Sequence, residues 1–307
     1  MGLITEVANK VYEIKPEGRG LDCFPLCTVY LVVDKKKALI EAGCPVQAPE
    51  ILEAVEKLGY GAKEISYIIP THVHGDHAGG AGLLAQRMPQ AQVMAHPRAA
   101  KFLADASMIT RLMQGFKHIF GEDAEERFGR MPPVPQERFS LVEDGQSISL
   151  GGRELKVIDT SGHAPYHLSL LDTKTRGLFC GDAFGGYFSD IEVIFPSSTL
   201  GSDPILTLQS MEKLQGLNPE SVFFSHGSST REAAKILQLG VDQARQCQDI
   251  ALKALKAGED LQEIAHRLID VLARGSALAR SALLGWPYLI RVSVEGYRQY
   301  FKKNNMI

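Results

Sequence analysis

Between Thr71 and Gly80 the chain reads THVHGDHAGG, which places His72, His74, Asp76 and His77 side by side. With nine histidines in 307 residues, three His and one Asp in this register arise by chance on the order of a few times 10⁻⁴ per chain, so the run points to chemistry. Neutral imidazole and carboxylate together form the ligand set of zinc and other borderline divalent ions. A turn that follows a buried strand aims several such side chains into one cavity. The bland alternative, histidines lining a solvent-exposed turn, leaves Asp76 and the pair Gly79-Gly80 without a task.

Three further residues punctuate apolar runs in the same way. His163 follows the run ending near Asp159, Asp182 follows Leu178-Phe179-Cys180, and His226 follows Val222-Phe223-Phe224-Ser225. Each is uninformative alone, and their common place after a strand is what promotes them. The remaining histidines fit structural roles: His167 at the start of a strand, His96 opening a helix, His118 and His266 on helical stretches.

The elements that must position these groups follow from periodicity. Thr28 to Val33 and Ala38 to Ile40 read as antiparallel strands around the turn Asp34 to Lys37, and Pro49 to Leu58 as an amphipathic helix. Ile65 to Pro70 is a buried strand that runs directly into the His-rich turn; a helix from near Gly79 to Arg87 and a strand at Gln92 to Ala95 follow. Residues 98–136 form a helical insertion rich in Met and Phe, closed by Pro132, Pro133 and Pro135. It is either a lid over an apolar part of the substrate or an amphipathic hairpin packed on the body or on a second copy. Strands resume at Ser147 to Leu150, Glu154 to Asp159, His167 to Leu171 and Gly177 to Cys180, with a hairpin at Gly151-Gly152. Residues 231–307 are helical, with Arg274, Arg280, Arg291 and Arg298 beside Trp286 and Tyr288 reading as a solvated face, and contact with an anionic substrate as the alternative. The domain reading is a catalytic body at 1–230 and a helical region at 231–307.

Composition narrows the class. At 45% hydrophobic and 22% charged residues the chain has the make-up of a folded globular protein, and a formal charge of -3 removes the electrostatic reason to expect nucleic acid as a partner. No apolar run has the roughly 18 to 20 residues needed to span a bilayer, and the N-terminus does not read as a signal peptide. The expected setting is cytoplasmic and the expected partner a small-molecule substrate, with a homo-oligomer open. Five cysteines, Cys23, Cys27, Cys44, Cys180 and Cys247, form no even framework, and Cys23 with Cys27 lacks the second pair that a zinc site requires. They read as small core or surface thiols.

This pattern resembles the metallo-β-lactamase-fold superfamily, whose hallmark is HxHxDH followed by a His, an Asp and a His, each after a strand. The resemblance covers roughly residues 10–230. It implies an α/β fold, the four-layer αββα sandwich, here with a helical insertion and a helical C-terminal region. It also implies that His72, His74 and His163 hold one divalent ion, that Asp76, His77 and His226 hold a second, and that Asp182 bridges them. Zinc is the expected metal, with iron or manganese as alternatives, and Asp76 and Asp182 are the expected catalytic carboxylates. A metal-bridging hydroxide would then attack a small ester, thioester, lactone or phosphoester. Tyr166 and Tyr187 are candidate donors to the developing oxyanion, with packing as the competing role. His74 separates the chain from the flavodiiron branch, which usually has Glu there, and Asp182 from the lactamases that have Cys. The glyoxalase II branch is nearer, although Ala81 stands where that branch often has Asn. A mononuclear-iron persulfide dioxygenase is the alternative reading, and a nuclease a more distant one.

Overall fold

The computed structural model describes residues 3–17, 26–195 and 198–307; Cys23 lies outside them, as do the side chains at 118–120. The chain folds as two compact units: Met1–Asp159 with Leu168–Phe179, and Thr160–His167 with Cys180–Ile307.

The first unit is built on a seven-stranded sheet in sequential order: β1 (Leu3–Ala8), β2 (Val11–Lys15), β3 (Val29–Val33), β4 (Lys37–Ile40), β5 (Ile65–Ile69), β6 (Gln92–Ala95) and β7 (Phe139–Leu141). The first four pair antiparallel and the rest parallel. All five residues of β3, VYLVV, are buried, as a β-branched strand covered on both faces should be. The hairpin expected at Asp34 to Lys37 joins β3 to β4. Strands β1 and β2 extend the sheet beyond the sequence reading; β1 is an edge strand with no buried residue, so it leaves no apolar alternation to detect.

Helices α1 (Ala48–Lys57), α2 (Gly75–Ala78) and α3 (Ala81–Arg87) follow β4 and β5. Ile51 and Val55 of α1 join Leu84 and Ala85 of α3, Leu31, Leu39, Ile68 and Val93 in one core, which fixes the end of β5 against the end of β4. The helix expected from near Gly79 to Arg87 is α3; ahead of it, within the His-rich turn, lies a single-turn α2 that carries Asp76 and His77 and that the sequence reading did not include.

The insertion forms α4 (Pro97–Ala104), α5 (Ala106–Phe120) and α6 (Ala124–Phe128). Asp105 caps α5 by accepting from the backbone N–H groups of Ser107 and Met108. Ile109, Met113, Phe116, Phe128 and Met131 pack together with Cys44. A Cβ on Gly75 would stand 3.4 Å from the Phe116 ring and 3.5 Å from Met131 Sδ, so this apolar cluster backs the helix that bears Asp76 and His77. An antiparallel meander completes the unit: β8 (Ser147–Ser149), β9 (Glu154–Asp159), β10 (Leu168–Asp172) and β11 (Gly177–Gly181), the last running on into the second unit.

The second unit contains β12 (Gly186–Phe188) paired with β13 (Val193–Phe195), then α7 (Pro204–Gln215), β14 (Ser221–Phe224), α8 (Ala233–Ala257), α9 (Leu261–Ala273), α10 (Ala277–Leu284) and α11 (Pro287–Lys303). Cys247, Ala251, Ile264, Leu268, Leu272, Ile290, Val294 and Phe301 form the core of the four C-terminal helices, with Ala251, Ile264, Leu268 and Leu272 at the helical spacing read from the sequence. Their outer faces carry local ion pairs: Arg280 to Asp270 at 2.8 Å and Arg298 to Glu295 at 2.7 Å. Trp286 packs against Phe188 with ring centroids 4.7 Å apart and the ring planes inclined at 55°. Among the described residues no helix is long and apolar enough to cross a membrane.

Candidate metal centre

The two units carry one group of expected ligands each. In the first unit, the chain leaves β5 at Ile69 and passes through Pro70 and Thr71 into the His-rich turn, which is stitched to the segment after β4. Ala42 N–H donates to His77 C=O at 2.8 Å, and Gly80 N–H donates to Gly43 C=O at 2.7 Å. A Cβ at position 80 would lie 2.3 Å from the Ala42 carbonyl oxygen, which explains the second glycine of the AGG run.

Behind this turn lies Glu41, fully buried and held at φ +68°. Its Oε2 accepts from Thr71 N–H at 3.1 Å, and its Oε1 accepts from Thr71 Oγ1 at 2.7 Å and from His77 Nδ1 at 3.0 Å. An acceptor at Nδ1 assigns the proton to that nitrogen and leaves the Nε2 lone pair of His77 for a ligand. Sequence reasoning passed over Glu41; the available signal was an acid closing the apolar strand LI, the same position that singled out the other site residues. Cys27 Sγ lies 3.7 Å from His77 Nδ1, and burial pushes its thiol pKa well above the ordinary range.

His72 Nε2 and His74 Nδ1 face each other at 2.9 Å, and His77 Nε2 lies 3.5 Å from Asp76 Oδ2. His72, Asp76 and His77 are buried and His74 is half-buried.

The second unit holds the other three. His163 Nε2 is 3.4 Å from Asp182 Oδ2, and His226 Nε2 is 3.6 Å from Asp182 Oδ1, with all three residues buried. His226 leaves β14 on a backbone clasp: Tyr187 N–H donates to His226 C=O at 3.1 Å and Ser228 N–H to Tyr187 C=O at 2.7 Å. Gly227, between them, sits at φ +88°, and a Cβ there would lie 2.0 Å from the Tyr187 carbonyl oxygen. Gly227→Ala is therefore expected to open the clasp and shift His226, lowering activity by at least about tenfold, measured as kcat/KM beside a thermal midpoint.

Of the two tyrosines, Tyr187 is buried against Phe224 with centroids 5.6 Å apart, and desolvation, reinforced by Glu192 and Glu232, raises its phenol pKa. Its packing role is the one the structure displays. Tyr166 is partly exposed at φ +63°, a conformation uncommon for a residue with a side chain, at the end of the loop that carries His163. His96 caps α4 through Nδ1, as expected of a helix opener.

The spacing of these donors tests whether a metal fits. Two ligands each 2.0 to 2.1 Å from a tetrahedral ion stand about 3.4 Å apart. Three of the within-unit pairs, at 3.4, 3.5 and 3.6 Å, match that separation better than they match a hydrogen bond, while the fourth, His72 Nε2 to His74 Nδ1 at 2.9 Å, stands at hydrogen-bond distance. Imidazole and carboxylate are also the donor types that such an ion takes.

The family model described as the metallo-beta-lactamase superfamily matches residues 24–226. The chain belongs to that superfamily. An archaeal member from Sulfurisphaera tokodaii, the metallo-beta-lactamase fold-containing protein ST1585, is 27% identical over 266 residues, covering 84% of this chain and 96% of the relative. Its crystal structure superposes with a TM-score of 0.69 over 95% of this chain and 99% of that one, at 23% identity, which establishes the metallo-beta-lactamase fold with its C-terminal helices. A hydroxyacylglutathione hydrolase from Synechococcus is 27% identical over 175 residues, 57% of this chain and 56% of the relative. An atrochrysone carboxyl ACP thioesterase from Aspergillus fumigatus is 24% identical over 224 residues, 72% of this chain and 42% of the relative.

Proposed function

We propose that this metallo-beta-lactamase superfamily member is a metal-dependent hydrolase of a small acyl or phosphoryl ester, with a thioester foremost and esters, lactones and phosphoesters behind it. The observation that carries the reading is the set of His and Asp donors, all but His74 buried, with three of their pairs held at ligand-to-ligand spacing. In this proposal His72, His74 and His163 hold one divalent ion, Asp76, His77 and His226 hold the other, and Asp182 serves both. Zinc is the proposed metal. Such ions, when bound, lower the pKa of water from about 15.7 toward 7 and polarise the oxygen of the scissile group.

The chain's own residues supply the rest. Glu41 fixes the His77 tautomer, the Tyr187 clasp fixes His226, and the two carboxylates Asp76 and Asp182 offset part of the positive charge of the ions. The thioester preference draws on the relatives named for hydroxyacylglutathione hydrolysis and ACP thioester cleavage. A panel of acyl-thiol, ester, lactone and phosphoester substrates tests it. At least one acyl-thiol should be cleaved, with activity lost to a chelator and restored by zinc; no turnover of any panel member refutes the hydrolase. A single iron per chain with oxygen consumption on a persulfide would instead establish the dioxygenase alternative.

A further inference from the structure

Asp182 is supported from behind by a residue that sequence reading treated as a strand opener. The backbone N–H of Asp182 donates to His167 Nε2 at 3.0 Å, and His167 Nδ1 lies 2.7 Å from Thr160 Oγ1. A backbone amide only donates, so Nε2 is the bare nitrogen and the proton sits on Nδ1, directed at the threonine hydroxyl. Both His167 and Thr160 are fully buried. The same two residues are also joined through the backbone, where Thr160 N–H donates to His167 C=O at 2.9 Å.

Between them runs the loop 160–167, and its middle carries His163, whose Nε2 is 3.4 Å from Asp182 Oδ2. One imidazole therefore closes the loop that bears His163 and, through its other nitrogen, anchors the turn that bears Asp182. We infer that His167 is a positioning residue that sets the separation between the His163 imidazole and the Asp182 carboxylate, and so the affinity of the chain for the ion those two share. This rests on the metal-centre reading above. A metal site tolerates ligand displacements of only about 0.2 Å, and removing a hydrogen-bond partner behind a ligand weakens metal binding about 10- to 100-fold. Without the Nε2 acceptor, the buried Asp182 N–H must seek another partner, and the turn moves with it.

Two variants separate positioning from bulk packing. His167→Phe keeps the ring volume and removes the acceptor; His167→Gln places an amide oxygen where Nε2 stood. Zinc titration of the full-length chain, the visible spectrum of the cobalt-substituted protein and the thermal midpoint are measured for each. The expected result is zinc affinity about 10- to 100-fold weaker and altered cobalt bands in the Phe variant, with the Gln variant restored to within a few-fold of wild type. Wild-type zinc affinity and cobalt bands in a folded His167→Phe protein overturn the inference. Should that variant not fold, Thr160→Val decides: weakened zinc binding supports the inference and unchanged binding overturns it. Failure of the metal-centre reading looks different, because there the wild-type protein itself takes up no zinc.

Discussion

Asp182→Asn is expected to lower kcat/KM on the order of a thousandfold or more while leaving the protein folded. The carboxylate faces two imidazole nitrogens, His163 Nε2 at 3.4 Å and His226 Nε2 at 3.6 Å, one from each of its oxygens. Asparagine keeps the shape and the backbone N–H that His167 holds, but it removes the negative charge and turns one oxygen into an NH2 group. Two cations that share this group would then lack both the bridge and its charge. Metal content should fall along with turnover, and the thermal midpoint of the metal-free protein should stay within a few degrees of wild type. The decisive combination is steady-state kinetics with metal analysis on the same preparation. A variant that keeps both its metal and its rate would remove Asp182 from the site.

Glu41→Gln is expected to be the most damaging change among residues that touch no metal. The two oxygens of Glu41 accept three hydrogen bonds, from Thr71 N–H, Thr71 Oγ1 and His77 Nδ1. A glutamine has one oxygen, so in either orientation its NH2 group confronts a buried donor. Leaving such a donor unpaired costs about 1 to 3 kcal/mol, and loss of the partner behind a metal-ligating histidine weakens metal binding about 10- to 100-fold. The thermal midpoint should fall by several degrees, and zinc titration should show the weaker affinity. Equal midpoints and equal affinities would mean that His77 is oriented by other contacts.

The metal-ligand pattern was legible in the sequence because most of it is local. HVHGDH compresses four donors into one turn, and the strand before it is apolar enough to be recognised as buried. His163, Asp182 and His226 were legible only as a set, through their shared position at strand ends. What supports them was not. Glu41 follows β4 in a left-handed conformation; its place after an apolar strand was its one local signal, and its contact with a histidine 36 positions later adds none. His167 was assigned a structural role, which is true of its burial but says nothing of the backbone N–H that it receives from Asp182, because that contact spans 15 residues.

The fold divides along the same line. Strands β3 to β6 and the C-terminal helices were readable from β-branched runs and helical spacing. Strand β1 was missed because an exposed edge strand need not alternate, and the one-turn helix α2 because four residues are too few to display helical spacing. The Met- and Phe-rich insertion was readable as helical, but only packing shows Phe116 and Met131 placed behind Gly75 and thus behind the turn of helix bearing Asp76 and His77.

The most direct measurement is the metal-to-protein ratio of the chain purified without added metal, read beside hydrolysis of an acyl-thiol substrate before and after chelation. Two divalent ions per chain, with turnover that disappears on chelation and returns with zinc, is the predicted result. Turnover that survives complete removal of metal would show that these histidines and aspartates serve some other purpose.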